Sequence, residues 1–577
     1  MKAIRWYLPF WVLGVVVLLS SCTKVPGSAK LIPENATVVM RLDVRQMAEC
    51  SGLTDDGQMK SELKKMLKDA NFSRSLSEKI EKIMDDPSKV GLDLRDPVFV
   101  YFMQHVNSDF ANMESLAMEA DSLLEKEETP SEESVMKETE AEIEFADNLP
   151  VPPSADNVDF GVVGTIYNAK DFADFLNELQ KEAGEEPIRE KDGFYYLMED
   201  EMAFVFNKDY FYLSHKDYAG KQEDEVLAAF RKQFDDGVDE SMYENDFFRT
   251  MCKREGVMQM LFSYKGLSDM PEMRLVEGMF MPKNLKFADL AYLMDVHTEK
   301  GETKAQFDIL TSSNEWDDWL KKGEDIYGKF KGDLLKYISK EGLALFVNIN
   351  GAKLFDLMKE MPIFKELPKD MVAQVAAILK SIDGDVAMSW TGMDETGSLP
   401  RFSVYMQTKD ATIINLLKDL DGAKEGFKEK VPNSYVTTID GGTKDVINFG
   451  WKQQTSYLLM GREGEEFKTT VHPFSDNVLK NRRFYMFFNF DLLNRLAKEL
   501  GDTQMAVEMK EFTGMFDHIE GHDEGMRKAI FTLKHKEKDK TLFELLYTYA
   551  TGVISRQQQM GAEMRTDIEK ALKEKGV

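Results

Sequence analysis

The feature that most constrains this chain is a set of strand and turn patterns that recurs, in the same order, in its two halves. Val38 to Val44 alternates apolar residues before a helical stretch, and Leu343 to Ile349 does the same. Each half then has a strand that ends in a Lys-Asp pair, at Lys170-Asp171 and at Lys409-Asp410. Each aspartate is predicted to lie in the first turn of a helix, where negative charge suits the exposed amide groups.

Four further matches keep the same order along the chain. They join the hairpin at Ala203 to Leu213 with that at Val446 to Met460, the strand Met260 to Tyr264 with Met486 to Phe490, Gly278-Met279-Phe280 with Gly514-Met515-Phe516, and the hairpin at His297 to Lys300 with that at His535 to Lys538. Such ordered recurrence predicts a duplication. On this alignment, His297 and His535 are interpreted as exposed turn residues.

The duplication predicts the domain organisation. Residues 31–340 form copy one and residues 341–556 form copy two, while residues 557–577 are predicted to be an exposed helical tail. Copy one is longer because of an acidic insertion at residues 108–157, whose only cations are Lys126 and Lys137. A segment so rich in like charge and so poor in aromatic residues is predicted to be disordered.

Alternating strands, frequent hairpins and interspersed helices predict an α+β fold. We expect two related copies with largely antiparallel sheets and covering helices, and not a doubly wound parallel sheet.

The N-terminus predicts export. Lys2 and Arg5 precede an apolar run from Trp6 to Leu19, and this run of about 14 residues is shorter than the roughly 20 that a spanning helix needs. The run ends in Leu19-Ser20-Ser21-Cys22, which resembles a lipobox. Residues 1–21 are therefore predicted to be a lipoprotein signal peptide, Cys22 the lipidated residue, and residues 22–30 a flexible tether to the membrane.

Charge and cysteine content exclude several classes of protein. The net charge of −29 argues against a nucleic-acid partner, because phosphates would repel it. Only Cys50 and Cys252 remain besides Cys22, so this is not a disulfide-built scaffold. The sequence leaves open whether these two cysteines pair or stay separate buried thiols.

The lipobox, the segment Leu31-Ile32-Pro33-Glu34-Asn35-Ala36-Thr37-Val38-Val39 that follows it, and the chain length resemble an uncharacterised family of Bacteroidota lipoproteins known only as a domain of unknown function. The resemblance implies a location in the cell envelope but no catalytic residue. Surface export in such lipoproteins is associated with acidic residues after the cysteine, whereas this tether carries Lys24 and Lys30. We therefore expect an outer-membrane lipoprotein that faces the periplasm.

One cluster could carry chemistry. His518, Glu520 and His522 place two imidazoles four residues apart beside a carboxylate, which on one face of a helix could bind zinc. Gly521 and Gly525 instead indicate a solvated turn, and the order of residues differs from the H-E-x-x-H motif. We favour the turn, and so predict no metal site and no cofactor.

Two classes of function follow. We prefer a non-enzymatic envelope lipoprotein that binds another protein or an apolar ligand through the surface between its two copies. The alternative is a metal-dependent hydrolase that uses His518, Glu520 and His522.

Overall fold

The structure is a computed structural model of the chain. It describes residues 25–52, short pieces between residues 60 and 81, and residues 87–93, 95–104, 158–216, 218–268, 270–393, 399–419, 427–438, 446–461, 467–471, 473–474, 479–499, 503–553 and 556. The predicted signal peptide at 1–21, the lipidated Cys22, the acidic insertion at 108–157 and the tail at 557–577 lie outside the described residues.

The chain divides into two compact units. Unit 1 consists of Met1–Gln46, Met66–Leu293 and Leu310–Trp316, and unit 2 consists of Met47–Lys65, Met294–Ile309 and Asp317–Val577. Four elements contain residues of both units: helix α1 (Val44–Cys50), strands β9 (Leu290–Glu299) and β10 (Glu302–Thr311), and helix α6 (Asn314–Glu324).

The sheet of unit 1 follows the order β8-β1-β2-β3-β7-β6-β5-β4, and each neighbouring pair is antiparallel. Its strands are β1 (Val38–Leu42), β2 (Val98–Gln104), β3 (Val158–Thr165), β4 (Arg189–Lys191), β5 (Phe194–Met198), β6 (Met202–Phe206), β7 (Tyr210–His215) and β8 (Met258–Ser263). Its helices are α2 (Ala169–Ala183), α3 (Glu223–Asp236), α4 (Asp246–Cys252) and α5 (Pro271–Phe280).

Helix α2 shows how the sequence sets its own boundaries. The side chain of Asn168 accepts hydrogen bonds from the backbone N–H groups of Lys170 and Asp171, which satisfies two of the exposed donors at the helix start. The helix ends at Gly184, which adopts the left-handed conformation (φ 77°) that glycine tolerates best. Between these ends, Phe172 and Phe175 lie on the face that is buried in the core.

Strand β1 buries a face that the sequence does not mark as apolar. Val39, Arg41 and Asp43 are buried, whereas Met40 and its apolar neighbours on the other face are half-buried. The Arg41 guanidinium donates a hydrogen bond to Gln259 and lies 3.8 Å from the Asp43 carboxylate. A buried charge is tolerated only when it is paired in this way.

The sheet of unit 2 follows the order β10-β20-β19-β18-β11-β12-β13-β17-β16-β15-β14, again with antiparallel neighbours. The strands are β11 (Leu343–Asn350), β12 (Ile382–Met393), β13 (Pro400–Thr408), β14 (Lys428–Val431), β15 (Ser434–Thr438), β16 (Val446–Lys452), β17 (Thr455–Met460), β18 (Phe484–Asn489), β19 (Phe516–Asp523) and β20 (Lys528–His535). The prediction of an α+β fold with largely antiparallel sheets is confirmed.

The helices of unit 2 cover this sheet and its connections. They are α7 (Gly351–Met358), α8 (Ile363–Glu366), α9 (Lys369–Ser381), α10 (Thr412–Asp419), α11 (Asp491–Glu499) and α12 (Gln504–Gly514), and residues 542–553 are also helical. Asp171 lies in the first turn of α2, as predicted. Asp410 does not lie within α10 but just before it, where its carboxylate accepts a hydrogen bond from the Thr412 N–H group at 3.0 Å.

The described part of the predicted tether belongs to the fold. Gly27–Leu31 forms a 3-10 helix in which Ser28, Ala29 and Leu31 are fully buried. The Lys30 ammonium donates hydrogen bonds to the carbonyls of Phe234 (2.6 Å) and Asp235, at the C-terminal end of α3. A cation is favourable there because of the helix dipole. The prediction of a flexible tether that extends to residue 30 is therefore wrong.

The two cysteines left open by the sequence are both free thiols in the structure. Cys252 is buried and Cys50 is half-buried. Burial raises the pKa of the Cys252 thiol to about 12, so the group stays protonated and unreactive at neutral pH.

Among the described residues, no helix combines the length and the apolar character needed to cross a membrane.

Gly351 provides a test of the packing in unit 2. A Cβ atom there would lie 1.8 Å from the Leu379 carbonyl oxygen, a backbone atom of α9 that cannot rotate away. We expect Gly351→Ala to lower the free energy of unfolding by about 1–3 kcal/mol, the usual range for overpacking.

Urea unfolding measures this effect, and Gly514→Ala is the matched control. Gly514 also lies in a helix of unit 2, but nothing lies within 4 Å of its added Cβ. The control should be neutral or stabilising by up to about 1 kcal/mol, as alanine is the better helix former. Equal stability of the two variants would contradict the close approach of α7 and α9.

Candidate functional site

Unit 1 contains a cavity of about 500 Å³ where strands β2, β3 and β7 meet helix α3. This volume lies within the range of roughly 300–1,000 Å³ that is typical of small-molecule sites. Its apolar wall includes Met103, Phe160, Val226 and Phe230. Its inner end carries the hydroxyls of Tyr101, Tyr212, Ser214 and Tyr218, so we call it the tyrosine cavity. The rest of its polar lining is one amide and six ionisable side chains: Gln233, Asp159, Lys216, Lys221, Glu225, Lys232 and Asp239.

The sheet register brings the first two tyrosines together. Tyr101 of β2 lies opposite Gly161 of β3, and Tyr212 of β7 lies opposite Val163 of β3. Positions 161 and 163 are two residues apart in β3, so both tyrosines lie on the same face of the sheet. The two phenol hydroxyls form a hydrogen bond with each other. Tyr101 and Tyr212 are 2% and 5% exposed, so this pair forms the buried end of the cavity.

Gly161 makes this arrangement sterically accessible. A Cβ atom at position 161 would lie 2.4 Å from a ring carbon of Tyr101, so the ring of Tyr101 lies directly over the glycine backbone. Glycine within a strand commonly marks such a close approach. No other residue type would leave the Tyr101 ring in its place.

Helix α3 and the segment after β7 complete the cavity. The ring of Phe230 packs against Tyr212 at 5.5 Å between centroids in an edge-on arrangement. The Tyr218 hydroxyl donates a hydrogen bond to Ser214 Oγ at 2.9 Å. The Lys221 ammonium lies over the Tyr218 ring, 5.5 Å from its centroid.

Burial keeps the phenols in their neutral form. Desolvation is the main cause that raises the pKa of Tyr101 and of Tyr212 above the ordinary value for tyrosine, and it raises the pKa of Tyr218 to about 12. Neutral phenols both donate and accept hydrogen bonds. The cavity therefore offers hydroxyl groups beside an apolar wall, which suits binding of an uncharged molecule that has one polar group.

No motif along the chain predicts that these residues meet. The sequence predicts a hairpin that contains Tyr212 and a strand that contains Gly164, but it predicts no binding site at either. The available signal was Gly161 and Gly164 within one strand: their missing side chains leave room for the rings of Tyr101 and Phe211.

The structure places His518, Glu520 and His522 on strand β19, not in a turn or on a helix. Gly521 fits a strand because the ring of Phe531 occupies the space where its side chain would lie, 2.5 Å from an added Cβ. His518 Nε2 lies 3.1 Å from Glu520 Oε1. The predicted solvated turn is therefore wrong.

Glu520 is committed to contacts within the protein. The His518 hydrogen bond is the main cause that lowers the pKa of the Glu520 carboxyl, and Tyr485 also donates a hydrogen bond to it at 3.2 Å. The ring of His518 stacks on Phe487. Across the described residues, no group of three or more His, Cys, Asp and Glu side chains has an arrangement that could hold a metal ion. The hydrolase alternative thus loses the cluster on which it depended.

His535 is not the exposed turn residue that the sequence predicts. It is the last residue of β20 and is fully buried. Its ring nitrogens lie 3.1 Å from Thr303 Oγ1 and 3.0 Å from the Lys540 carbonyl oxygen, and burial lowers its pKa. His297 lies within β9 and is exposed, with Nε2 3.1 Å from Asp295 Oδ2. The two histidines thus have different environments, and neither contributes to the tyrosine cavity.

Comparison with known families gives one match of substantial length. The sequence profile of a domain of unknown function, DUF4836, matches residues 133–428. The chain belongs to the DUF4836 family. This membership confirms the resemblance to a family known only as a domain of unknown function, and it assigns no activity to the chain.

Other comparisons add little to the DUF4836 assignment. No curated protein matches the chain. A solved structure described as crystal form I of TP0453 matches 50% of this chain and 79% of its own chain at 12% identity, with a TM-score of 0.22. At that score the likeness carries no argument about fold or function.

The raised pKa of Tyr218 predicts how unit 1 responds to alkaline pH. Because the folded-state pKa of about 12 exceeds the ordinary value of 10.0, the folded state holds its proton more tightly than the unfolded state does. This contribution to stability is complete below pH 10 and is lost as the pH rises towards 12. Tyr218→Phe, which has no proton to lose, should therefore show a shallower loss of stability over that range.

Urea unfolding at a series of pH values, followed by far-ultraviolet circular dichroism, measures this difference. The same comparison at neutral pH is the control, because the phenol is protonated in both states there. Parallel stability curves for the two proteins at alkaline pH would contradict a buried, protonated Tyr218.

Proposed function

We propose that the protein is a non-enzymatic, membrane-anchored lipoprotein of the bacterial cell envelope that binds a small apolar ligand in the tyrosine cavity. The observation that carries the binding function is the convergence of Tyr101, Tyr212 and Tyr218 on one cavity of about 500 Å³. The Ser214 hydroxyl accepts the hydrogen bond of Tyr218, and the described residues that line the cavity include no histidine to act as its base.

The chemistry of the walls indicates the class of ligand. Apolar groups such as Met103 and Val226 favour a hydrocarbon body, because its transfer from water is favourable in proportion to the area buried. The buried hydroxyl pair of Tyr101 and Tyr212 favours one hydroxyl or carbonyl group at the inner end. Neither charge is in excess at the cavity, because three acidic and three basic side chains line it: Asp159, Glu225, Asp239, Lys216, Lys221 and Lys232. The charged atoms of Asp159 and Lys216 are 3.9 Å apart. An uncharged ring compound with a single hydroxyl meets these conditions.

Binding of 1-naphthol to the full mature chain, measured by isothermal titration calorimetry, tests this function. Naphthalene, which lacks the hydroxyl, serves as the apolar reference. We expect saturable binding of 1-naphthol and binding of naphthalene that is about fivefold weaker, because one hydrogen bond contributes about 1 kcal/mol. Absence of saturable binding by 1-naphthol would refute the proposed ligand class.

Two variants locate the binding in the cavity. Gly161→Ala displaces the Tyr101 ring and should weaken binding of 1-naphthol at least about fivefold, as misplaced packing commonly costs about 1–3 kcal/mol. Gly278→Ala is the matched control in the same unit, since an added Cβ there meets nothing within 4 Å. Should Gly161→Ala fail to fold, Tyr218→Phe removes one hydroxyl and keeps the shape of the cavity. Unchanged affinity in both variants would place the ligand elsewhere.

We also propose that the chain is a duplication, and the strand orders support this part. The order β8-β1-β2-β3-β7-β6-β5-β4 in unit 1 has its counterpart in β18-β11-β12-β13-β17-β16-β15-β14 in unit 2. The registers also correspond: Met40 lies opposite Val100 and Met260, as Leu345 lies opposite Met388 and Met486.

The segments before the first strand of each copy support the same conclusion. Pro33 forms an isolated bridge with Ser241, and Ser339 forms one with Pro473. Each bridge follows a 3-10 helix, Gly27–Leu31 or Leu335–Tyr337, that leads towards the first strand. An experimental structure in which these register pairs fail to superimpose would overturn the duplication.

The anchor rests on the sequence of the first 22 residues together with the position of the fold after it. Since the 3-10 helix begins at Gly27, only residues 23–26 separate Cys22 from the folded chain. Such a segment spans at most roughly 18 Å when extended. Lys30 is bound to the end of α3, so Lys24 is the one charged residue of this short tether. The lack of acidic residues there supports an outer-membrane protein that faces the periplasm.

Cys22→Ser tests the anchor. The hydroxyl cannot accept the thioether-linked lipid, so we expect the variant to move from the membrane fraction to the supernatant in cell fractionation. Cys50→Ser is the control, because it removes a cysteine from the folded chain and leaves the lipobox intact. Retention of the Cys22→Ser variant in washed membranes would disprove anchoring by lipid at this residue.

A further inference from the structure

Unit 2 contains a second cavity, of about 430 Å³. Its walls are mainly polar, unlike the apolar wall of the tyrosine cavity. It lies where β13 ends and β17 begins, beside the loop that precedes the 3-10 helix Leu335–Tyr337. Gln407, Gln453 and Gln454 line it together with the rings of Tyr337 and Phe467, so we call it the glutamine cavity.

Backbone strain is concentrated at this cavity. Among the described residues, six that are not glycine have a positive φ, and three of these are Asp192, Asn433 and Asn481, of the two residue types that tolerate the left-handed region best. The other three are Gln453 (φ 52°), Gln454 (φ 56°) and Phe467 (φ 56°), and all three line the glutamine cavity. Strain of this kind clusters at functional sites, where a side chain must be held in a particular place.

Two of the strained residues, Gln453 and Gln454, form one hairpin turn. Strand β16 ends at Lys452 and β17 begins at Thr455, so Gln453 and Gln454 form a two-residue hairpin turn with both φ angles positive. Such a turn strongly favours Asn-Gly. Glutamine at both positions sacrifices stability and in return places two long amide side chains at the cavity.

The floor of the cavity is fixed by hydrogen bonds. The Gln407 amide donates to Asp333 Oδ2 at 3.2 Å and accepts from the Asp385 N–H group at 2.9 Å. The buried carboxylate of Asp385 in turn accepts from the backbone N–H groups of Lys331 and Gly332. These contacts hold the loop at residues 331–333 against β12 and β13, and a site held rigidly in advance loses less entropy when a ligand binds.

The lining groups favour a saccharide. Amide and carboxylate side chains form paired hydrogen bonds with adjacent hydroxyls, because each hydroxyl both donates and accepts. The half-buried rings of Tyr337 and Phe467, whose centroids are 5.3 Å apart in an edge-on arrangement, form the apolar part of the wall. Tyr337 also stacks on Tyr405 and has the Lys336 ammonium 5.0 Å from its ring centroid, so it is held in place by protein contacts.

The charges favour an acidic saccharide over a neutral one. Lys331, Lys336 and Lys409 line the cavity against the carboxylates of Asp333 and Asp383. The Lys409 ammonium lies 3.8 Å from Asp383, whereas within the described residues neither Lys331 nor Lys336 forms an ion pair. The Lys336 ammonium lies over the Tyr337 ring. Three cations thus line the cavity against two carboxylates, in a chain whose net charge is −29. We propose that the glutamine cavity binds the end of a saccharide that carries a carboxylate group.

Isothermal titration calorimetry of the full mature chain tests this site with a disaccharide that ends in glucuronic acid. The same disaccharide ending in glucose is the neutral reference. We expect saturable binding of the acidic sugar and at least tenfold weaker binding of the neutral one. Lys336→Gln should reduce the affinity for the acidic sugar at least threefold and leave that for the neutral sugar unchanged. Absence of binding by the acidic sugar, or equal affinity for both sugars, would overturn the proposal.

The strained turn offers a test that separates binding from folding. Replacing Gln453 with Asn and Gln454 with Gly supplies the residues that the turn favours and removes both amide side chains from the cavity. We expect the midpoint of thermal unfolding to stay the same or rise, while affinity for the acidic disaccharide falls at least tenfold. Asn433→Gly, at the positive-φ position of the β14–β15 turn, is the control and should leave affinity unchanged. Full affinity in the Asn-Gly variant would overturn the proposal.

Discussion

Each unit depends on one strand whose hydrogen-bonding groups are shared between two distant partners. In unit 1, Met40 of β1 lies between Val100 of β2 and Met260 of β8, so the chain must return over some 220 residues to complete the pairing. An unpaired strand edge would leave a row of buried N–H and C=O groups without partners, each with a substantial free-energy penalty. The position of β2, and therefore of Tyr101, follows from this pairing.

How far the sequence predicts the fold depends on the kind of pattern. Strands and helices were predictable because alternation and capping are local, as Asn168 and Gly184 illustrate at the ends of α2. The choice of buried face in β1 was not, since the burial of Arg41 depends on Gln259, which is remote in sequence, as well as on the nearby Asp43. Strand β19 was missed for a similar reason: Gly521 suggests a turn until the ring of Phe531 is found above it.

The candidate site was harder to predict than the fold. The hydroxyls of Tyr101 and Tyr212 meet only because β3 lies between their strands in one register, and a shift of one residue would turn both side chains to the other face. No spacing along the chain records such a meeting. Gly161 was the local signal, but a glycine within a strand also marks bulges and bends, so it indicates a close approach without naming the group that approaches.

On the proposed duplication, the two copies differ at the positions that matter for binding. The register pair Tyr101 and Gly161 of unit 1 corresponds to the pair Ser389 and Ser403 of unit 2, because each pair lies one step from the shared reference positions in the central strands. Two serines supply neither the large ring nor the space that a ring requires. Tyr457, which corresponds to Tyr212 in register, shares a hydroxyl hydrogen bond with Ser434 and not with a second tyrosine. The glutamines with strained backbone in unit 2 lie instead at the glutamine cavity, beside the start of β17. Duplication followed by such changes would give one chain two cavities of different chemistry on the same sheet order.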